Sequence, residues 1–423
     1  MALAGHPVPE LLSRFGSPLV VMLEQQIREA CRAYCEPLRS YPRWRVYYAS
    51  KAFLSTGFCK LIQQEGLGLD VVSWGELQTA LAAGFPPDQI LMHGNAKTDR
   101  ELRLALQAGV GRIVIDNLDE IEVLDRLANE LQREVAVFVR ITPGVKPSTH
   151  AYVQTGQVDS KFGFNLEGGA AEQAVRRVLQ ARRLRLIGLH CHIGSQIFNL
   201  KPYAAAARLM MEFYAHVKND LGAPLDELNM GGGLGIRYAP DDCPPTVAEH
   251  LERLGSAVLQ LSAELGLEPP VLCDEPGRSI VGRAGVTLYT VQSTKHIPGV
   301  RNYASVDGGM TDNPRFALYG SRHQVVLASR LNETGAELWS ISGRCCESGD
   351  MLVKDACLPG LRAGDVLAFL STGAYTYSMA SNYNRVARPA VVLVGPGRAD
   401  LLAARESAED LLRLDRVPAW LAE

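Results

Sequence analysis

The sequence predicts an α/β fold: a (β/α)8 TIM-type barrel over residues 24–275, then a mostly antiparallel β-domain of 276–423 that also takes in the N-terminal segment 1–23. Three observations carry this. β-rich runs alternate with helical periods eight times over about 230 residues, the pattern of parallel strands joined by crossover helices. Beyond Leu288 the helical periods give way to short β-rich runs separated by Gly, Pro and Asp. Polar residues with chemistry to offer also fall at the carboxyl ends of the predicted strands, which share one face in a barrel.

Taken in order, an apolar segment at Pro18–Leu23 precedes a helix running through Cys35. Strands are expected at Trp44–Ser50, Gly68–Ser73, Ile90–Gly94, Arg112–Asp116, Val135–Ile141, Leu184–Ile193, Glu227–Gly231 and Val271–Asp274. Each is short and rich in β-branched, aromatic or aliphatic residues. Helical periodicity fills the spaces, as at Leu54–Gln64, Gly75–Ala83, Asp99–Gln107, Leu118–Leu131 and Tyr203–Val217. The stretch Pro143–Asn165, rich in Thr, Gly and Ser, is too long for an ordinary connection and reads as a functional loop. In the second domain the β runs are Val286–Val291, Ala304–Val306, Glu337–Ser342, Val366–Phe369 and Ala390–Val394, with a helix at Ser407–Leu412. Asp307–Gly320 is too polar and turn-rich for a core strand and reads as a loop presenting Arg315 and Tyr319.

Composition excludes several classes. A net charge of -3 gives no reason to expect nucleic acid or an anionic membrane as partner. No apolar run reaches the roughly 18 residues of a membrane span. Met1–Gly16 lacks the basic head and apolar block of a signal peptide. The nine cysteines form no C-x-x-C pair, so neither zinc nor a disulfide framework is indicated, and a reducing cytoplasm fits best.

Lys51, Asp70, Asp116, Arg140, His192, Gly231–Gly233 and Glu275 stand at or just past strand ends. One such residue is usually a strand cap, but seven on one face make a site. A partly desolvated lysine there can be neutral enough to form a Schiff base. The run from Gly231 to Gly235 lets backbone N–H groups approach a phosphate, to which Ser195 could add its hydroxyl. His190 and His192 are two apart on one strand and point the same way. That spacing also suits a barrel metal site, a rival reading as a metal-dependent hydrolase. The rival needs ligands at other strand ends, and only His93 is near one. The favoured reading has no metal: His192 is a flat ring on an aromatic cofactor, and His190 is buried and structural. Glu275 can keep a pyridine nitrogen protonated, which makes the ring an electron sink. Lysine, carboxylate and glycines together describe pyridoxal phosphate.

The chain also resembles the alanine-racemase-like, fold-type III pyridoxal phosphate decarboxylases, most closely those acting on diaminopimelate. The resemblance spans Ser17 to Val394. It rests on Tyr48-Ala-Ser-Lys-Ala-Phe, Leu69-Asp-Val-Val-Ser, Ser160-Lys-Phe-Gly, His190-Cys-His-Ile-Gly-Ser-Gln, Gly231-Gly-Gly, Glu275-Pro-Gly-Arg, Val306-Asp-Gly-Gly-Met, Cys346-Glu-Ser-Gly-Asp and Gly373-Ala-Tyr. It implies that Lys51 carries the cofactor and His192 stacks on its ring. Ser195, Gly232, Gly233, Gly277 and Arg278 would hold the phosphate, Glu275 the ring nitrogen, and Asp70, Arg140 and Tyr375 would complete the cofactor site. Arg278, Arg315, Tyr319 and Tyr375 would bind the substrate, with Glu347 on its distal amine and Cys346 as proton donor. A homodimer with shared sites is also implied, Cys346 serving the partner's Lys51. The implied reaction turns meso-2,6-diaminopimelate into L-lysine and carbon dioxide, the last step of lysine biosynthesis. Two arginines and an acid suit an amino-acid-like far end better than a bare amine. Phe316 and Ser321 stand where that family often has proline and alanine, and neither is a site position. A decarboxylase for another basic amino acid and a non-catalytic binding homologue remain the alternatives.

Overall fold

The computed structural model describes residues 1–36, 41–145, 159–335 and 337–421. Eight parallel strands close on themselves: β1 (Trp44–Ala49), β2 (Gly68–Val71), β3 (Ile90–Met92), β4 (Arg112–Ile115), β5 (Val135–Thr142), β6 (Leu184–Cys191), β7 (Glu227–Asn229) and β8 (Val271–Asp274). β5 pairs with β6 and β8 with β1, so no edge is left open. The barrel was thus predicted correctly. Several expected strands ran two residues too far, to Ser73, Gly94, Ile193 and Gly231, because there the chain leaves the ladder for the mouth.

The barrel interior is one cluster from six strands: Tyr47, Leu91, Val114, Phe138, Ile187, Val271 and Cys273. Large rings meet glycines across neighbouring strands. A Cβ on Gly68 would lie 2.6 Å from the Tyr47 ring, and one on Gly188 would lie 2.5 Å from Phe138. Each ring so enclosed contributes about 1.5–3 kcal/mol through burial. At the opposite end from the mouth, Arg112 holds Glu227 with two bonds of 2.8 and 2.6 Å, and Arg45 adds a third at 2.9 Å. The loops leaving the strands end in N-caps: Ser55, Ser73, Thr98, Asn117 and Thr246 each accept a backbone N–H from the first turn of the next helix. Ser73 and Asn117 stand only two residues past the ends of β2 and β4, so there the chain turns from strand to helix at once.

Two compact units divide the chain. Ile27–Arg237 with Asp242–Val281 forms the barrel, and Met1–Gln26, Tyr238–Asp241 and Gly282–Glu423 form the other. Against the expected limits, Glu24–Gln26 falls in the second unit, where Arg398 binds the Glu24 carboxylate at 2.7 Å. Pro276–Val281 stays with the barrel, since Ala49 N–H donates to the Pro276 carbonyl at 3.0 Å.

The second unit is mainly antiparallel, and Leu19–Leu23 is a strand at the middle of its sheet. That strand lies between Gly285–Ile297, antiparallel, and Ala390–Gly395, parallel. Arg301–Val306 and Glu337–Ser342 also pair in parallel. Apolar residues gather in two cores, one around Val21, Leu288 and Val392 and the other around Tyr289, Trp339 and Phe369. Two loop expectations change. Arg315–Tyr319 is a short helix closed by Gly320 at φ 60°, five residues being too few to show a period. Phe164–Asn165 is a strand paired with β5, while 146–158 of that expected loop lie outside the described residues.

Candidate active site

The barrel mouth gathers the polar residues its strands deliver. Lys51 stands in the turn Ser50–Ala52, directly after β1, and its side chain is exposed rather than desolvated as expected. Its charge still bears on Asp70 and His192. Asp70 on β2 is buried, and burial pushes its carboxyl up although His93 and Lys51 lie close enough to oppose the shift. Asp70 Oδ1 has no hydrogen-bond partner among the described residues.

His192 is half-buried one residue past β6, and Gly232 N–H donates to its Nδ1 at 3.3 Å. Burial, then the Lys51 and Arg140 cations, hold it well below the usual histidine range, so the ring is neutral. A neutral ring can lie flat on an aromatic system without carrying a charge into it. Gly231, at φ 67°, is packed so that a Cβ would lie 2.7 Å from that ring. Cβ atoms on Gly232 and Gly233 would lie 2.1 and 2.2 Å from the Glu275 and Gly194 carbonyls. Only glycine keeps this run open. Behind it Tyr203 donates to the Gly232 carbonyl at 3.2 Å. Arg278 Nη2 donates to Ser195 Oγ at 3.1 Å, bringing together two residues predicted to act on one phosphate. Arg140 lies 3.4 Å from Asp116 and 4.4 Å over the Phe162 ring, while Gly163 N–H donates to Asp116 at 3.1 Å. The mouth therefore fits a flat, phosphorylated cofactor held by a lysine.

Glu275, one residue past β8, is gripped from three sides. His93 Nε2 and Asn229 Nδ2 donate to Oε1 at 2.7 and 2.8 Å, and His190 Nε2 lies 3.3 Å from Oε2. Burial would raise this carboxyl, but His93 and His190 outweigh it and hold it well below the usual carboxylate range. His190, pushed down to about 4 by burial, is a neutral donor rather than only a packed ring. Ligand atoms of His93, His190 and Glu275 lie within 4.8 Å of one another, closer to the rival metal reading than the sequence suggested.

Comparison with known proteins decides between the readings. Residues 24–282 match the family model for the pyridoxal-dependent decarboxylase, pyridoxal binding domain. The chain is 48% identical over 406 residues to the diaminopimelate decarboxylase of Bacillus subtilis, covering 96% of this chain and 92% of that protein. This chain belongs to the diaminopimelate decarboxylase family. It is 44% identical to the Mycobacterium tuberculosis (strain ATCC 25618 / H37Rv) diaminopimelate decarboxylase over 98% of this chain and 94% of that one. It is also similar to the solved diaminopimelate decarboxylase of M. jannaschii, with a TM-score of 0.92 at 35% identity over 99% of this chain and 96% of that one. A further structure of that protein is a co-complex with L-lysine. The metal-dependent hydrolase reading is thereby set aside, and pyridoxal phosphate is this decarboxylase's cofactor.

Of the predicted substrate residues, Arg278 belongs to the barrel unit, while the second unit of this decarboxylase carries Arg315, Tyr319, Glu347 and Tyr375. Arg315 is buried, with its guanidinium 5.1, 5.5 and 5.9 Å from the Tyr319, Tyr238 and Tyr375 rings. It donates to Ser321 Oγ at 3.3 Å, so Ser321, discounted in the sequence, supports the arginine directly. Tyr375 sits at φ 57° after Gly373, whose close packing against Gly285 leaves no room for a Cβ on Gly285. Cys346 and Glu347 are exposed on a loop anchored by Asp350. The Asp350 carboxylate accepts the N–H groups of Met310 and Cys345 at 2.6 and 2.7 Å. The sequence missed the roles of Asn229, Tyr238, Asp350 and Asn384, whose Oδ1 accepts the Cys346 N–H at 2.8 Å, and saw His93 only as a spare ligand. Of these, Asp350 alone falls in one of the sequence motifs, Cys346-Glu-Ser-Gly-Asp.

Proposed function

We propose that this chain converts meso-2,6-diaminopimelate into L-lysine and carbon dioxide with pyridoxal phosphate. The observation that carries the reading is the barrel mouth itself, where a strand-end lysine, a neutral histidine, an open glycine run and a caged carboxylate meet. Close similarity to diaminopimelate decarboxylases supports the choice of substrate.

The cofactor supplies an electron sink for the pair left when the Cα–carboxylate bond breaks. Lys51 would hold it covalently and His192 would lie on its face. Ser195, Gly232, Gly233, Gly277 and Arg278 would bind its phosphate, and Glu275 would face its ring nitrogen. Asp70, Arg140 and Tyr375 would orient it. Arg278, Arg315, Tyr319 and Tyr375 would take the substrate, Glu347 its distal amine. As carbon dioxide leaves, Cys346 Sγ would deliver a proton to Cα. A homodimer with shared sites completes the reading, supported by the exposure of Cys346 and Glu347. Nine free thiols support a reducing cytoplasm as its place.

The test is a competition assay on protein loaded with pyridoxal phosphate, offering meso-diaminopimelate, ornithine, arginine and both lysine enantiomers. Diaminopimelate should be consumed first, because a diamine-ended substrate brings no distal carboxylate to the buried Arg315. Preference for a diamine-ended substrate would refute the assignment. Mixing inactive Lys51→Ala and Cys346→Ala proteins should restore activity if sites are shared, and no recovery rejects the shared dimer.

A further inference from the structure

Glu275 is a buried carboxylate with three protein donors, and its position and charge depend on what holds them. A carboxylate offers about four acceptor sites, so one remains for a ligand donor. Asn229 is fixed in turn: its Oδ1 accepts Gly231 N–H at 2.9 Å, which directs its Nδ2 at Glu275. His190, neutral, has Nδ1 without a hydrogen-bond partner among the described residues, so its proton sits on Nε2, facing Oε2. His93 makes the shortest of the three contacts. It follows β3, and its backbone N–H is tied to the Val71 carbonyl at 2.8 Å.

A second acid makes His93 decisive. Asp70 Oδ1 lies 3.8 Å from His93 Nε2, the same nitrogen that reaches Glu275 at 2.7 Å. One nitrogen of His93 therefore faces two buried carboxylates. We propose that His93 is a positioning residue, whose Nε2–H separates Asp70 from Glu275 and keeps Glu275 an oriented anion toward the ring nitrogen. Without it, two acids in one dry pocket would share a proton, as like charges in low dielectric do. The other titratable groups facing Glu275 do not replace it. His190 and His192 are held neutral, while Cys191, Cys273 and Asp274 add no positive charge. Arg140 acts on Asp70 and His190, and no contact ties it to Glu275 among the described residues.

The inference rests on the proposed cofactor role of Glu275, and its test is separable from that role. Unloaded protein labelled with 13C at glutamate side-chain carboxyls is titrated by NMR, with Glu275→Gln identifying the resonance. The parent signal should stay ionised down to pH 5. In His93→Ala its midpoint should rise by about two pH units. His93→Asn, too short to reach Oε1, should behave like Ala, and His93→Gln should recover the parent curve. In loaded enzyme the Ala and Asn variants should lose turnover by roughly tenfold to a hundredfold, with KM nearly unchanged. A folded Ala or Asn variant with a parent-like titration, or a Gln variant without recovery, would overturn the proposal. If Ala does not fold, the Asn and Gln pair decides. A parent that binds no pyridoxal phosphate would instead refute the proposed function and leave the titration result standing.

Discussion

Asn384 Oδ1 accepts the backbone N–H of Cys346 at 2.8 Å. Asn384 and Arg385 both hold positive φ, at 52° and 56°, and Arg385 is anchored to the Leu411 carbonyl at 2.8 Å and to Asp415. Asparagine tolerates that backbone region better than most residues. Asn384→Ala should therefore loosen the Cys346 loop, at a cost of about 1 kcal/mol and so roughly fivefold in turnover. Alkylation of Cys346 by iodoacetamide should become faster. An unchanged alkylation rate would show that the contact does not order the thiol.

The neighbouring cysteines should separate cleanly. The Cys345 thiol is pushed up to about 11 by burial and the nearby Asp350, which makes it a poor acid. Cys346→Ala should lower turnover strongly with little effect on KM, and Cys345→Ala should change it far less. Steady-state kinetics on both variants checks this, and a larger loss at Cys345 reverses the assignment.

Arg315 should govern substrate affinity. Arg315→Ala should raise KM for diaminopimelate about tenfold, as loss of a charge-assisted contact predicts, while bound-cofactor absorbance stays unchanged. Arg315→Lys should rescue little, because an ammonium lacks the planar fork. Ser321→Ala should show a smaller effect in the same direction, since it removes only the 3.3 Å contact.

Lys51 should be the residue that borohydride traps with pyridoxal phosphate, and Lys51→Ala should abolish both adduct and turnover. Peptide mapping should find no adduct on Lys97. That amine is buried, bound to Glu120 at 2.6 Å and to the Gly94 and Val114 carbonyls at 2.7 Å each. Lys97→Met should instead destabilise the fold by about 3–5 kcal/mol, leaving Glu120 buried without its partner.

His190 should leave a signature in acid. Its folded value of about 4 lies below the ordinary 6.5, so the unfolded chain binds a proton that the folded chain refuses between those values. Stability from this group is full above 6.5 and is lost as pH falls toward 4. Urea unfolding of the parent and His190→Gln across this window should show a flatter pH dependence in the variant. Parallel curves would mean that His190 titrates normally.

The sequence by itself determined the barrel, because eight alternations of β-rich runs with helical periods are written in the local pattern of the chain. It also determined where Lys51, Asp70, His192 and Glu275 stand, since a parallel barrel brings all strand ends to one mouth. It could not determine which side chains touch. Glu275 meets His93 from β3, His190 from β6 and Asn229 from β7, contacts set by closure of the barrel and separated by up to 182 residues along the chain. Which side chains touch was equally hidden for Arg315 with Tyr238 and Tyr375, and for Asn384 on the Cys346 loop. Periodicity records the conformation of neighbours in the chain, whereas a hydrogen bond records proximity in space, and only the tertiary structure decides that.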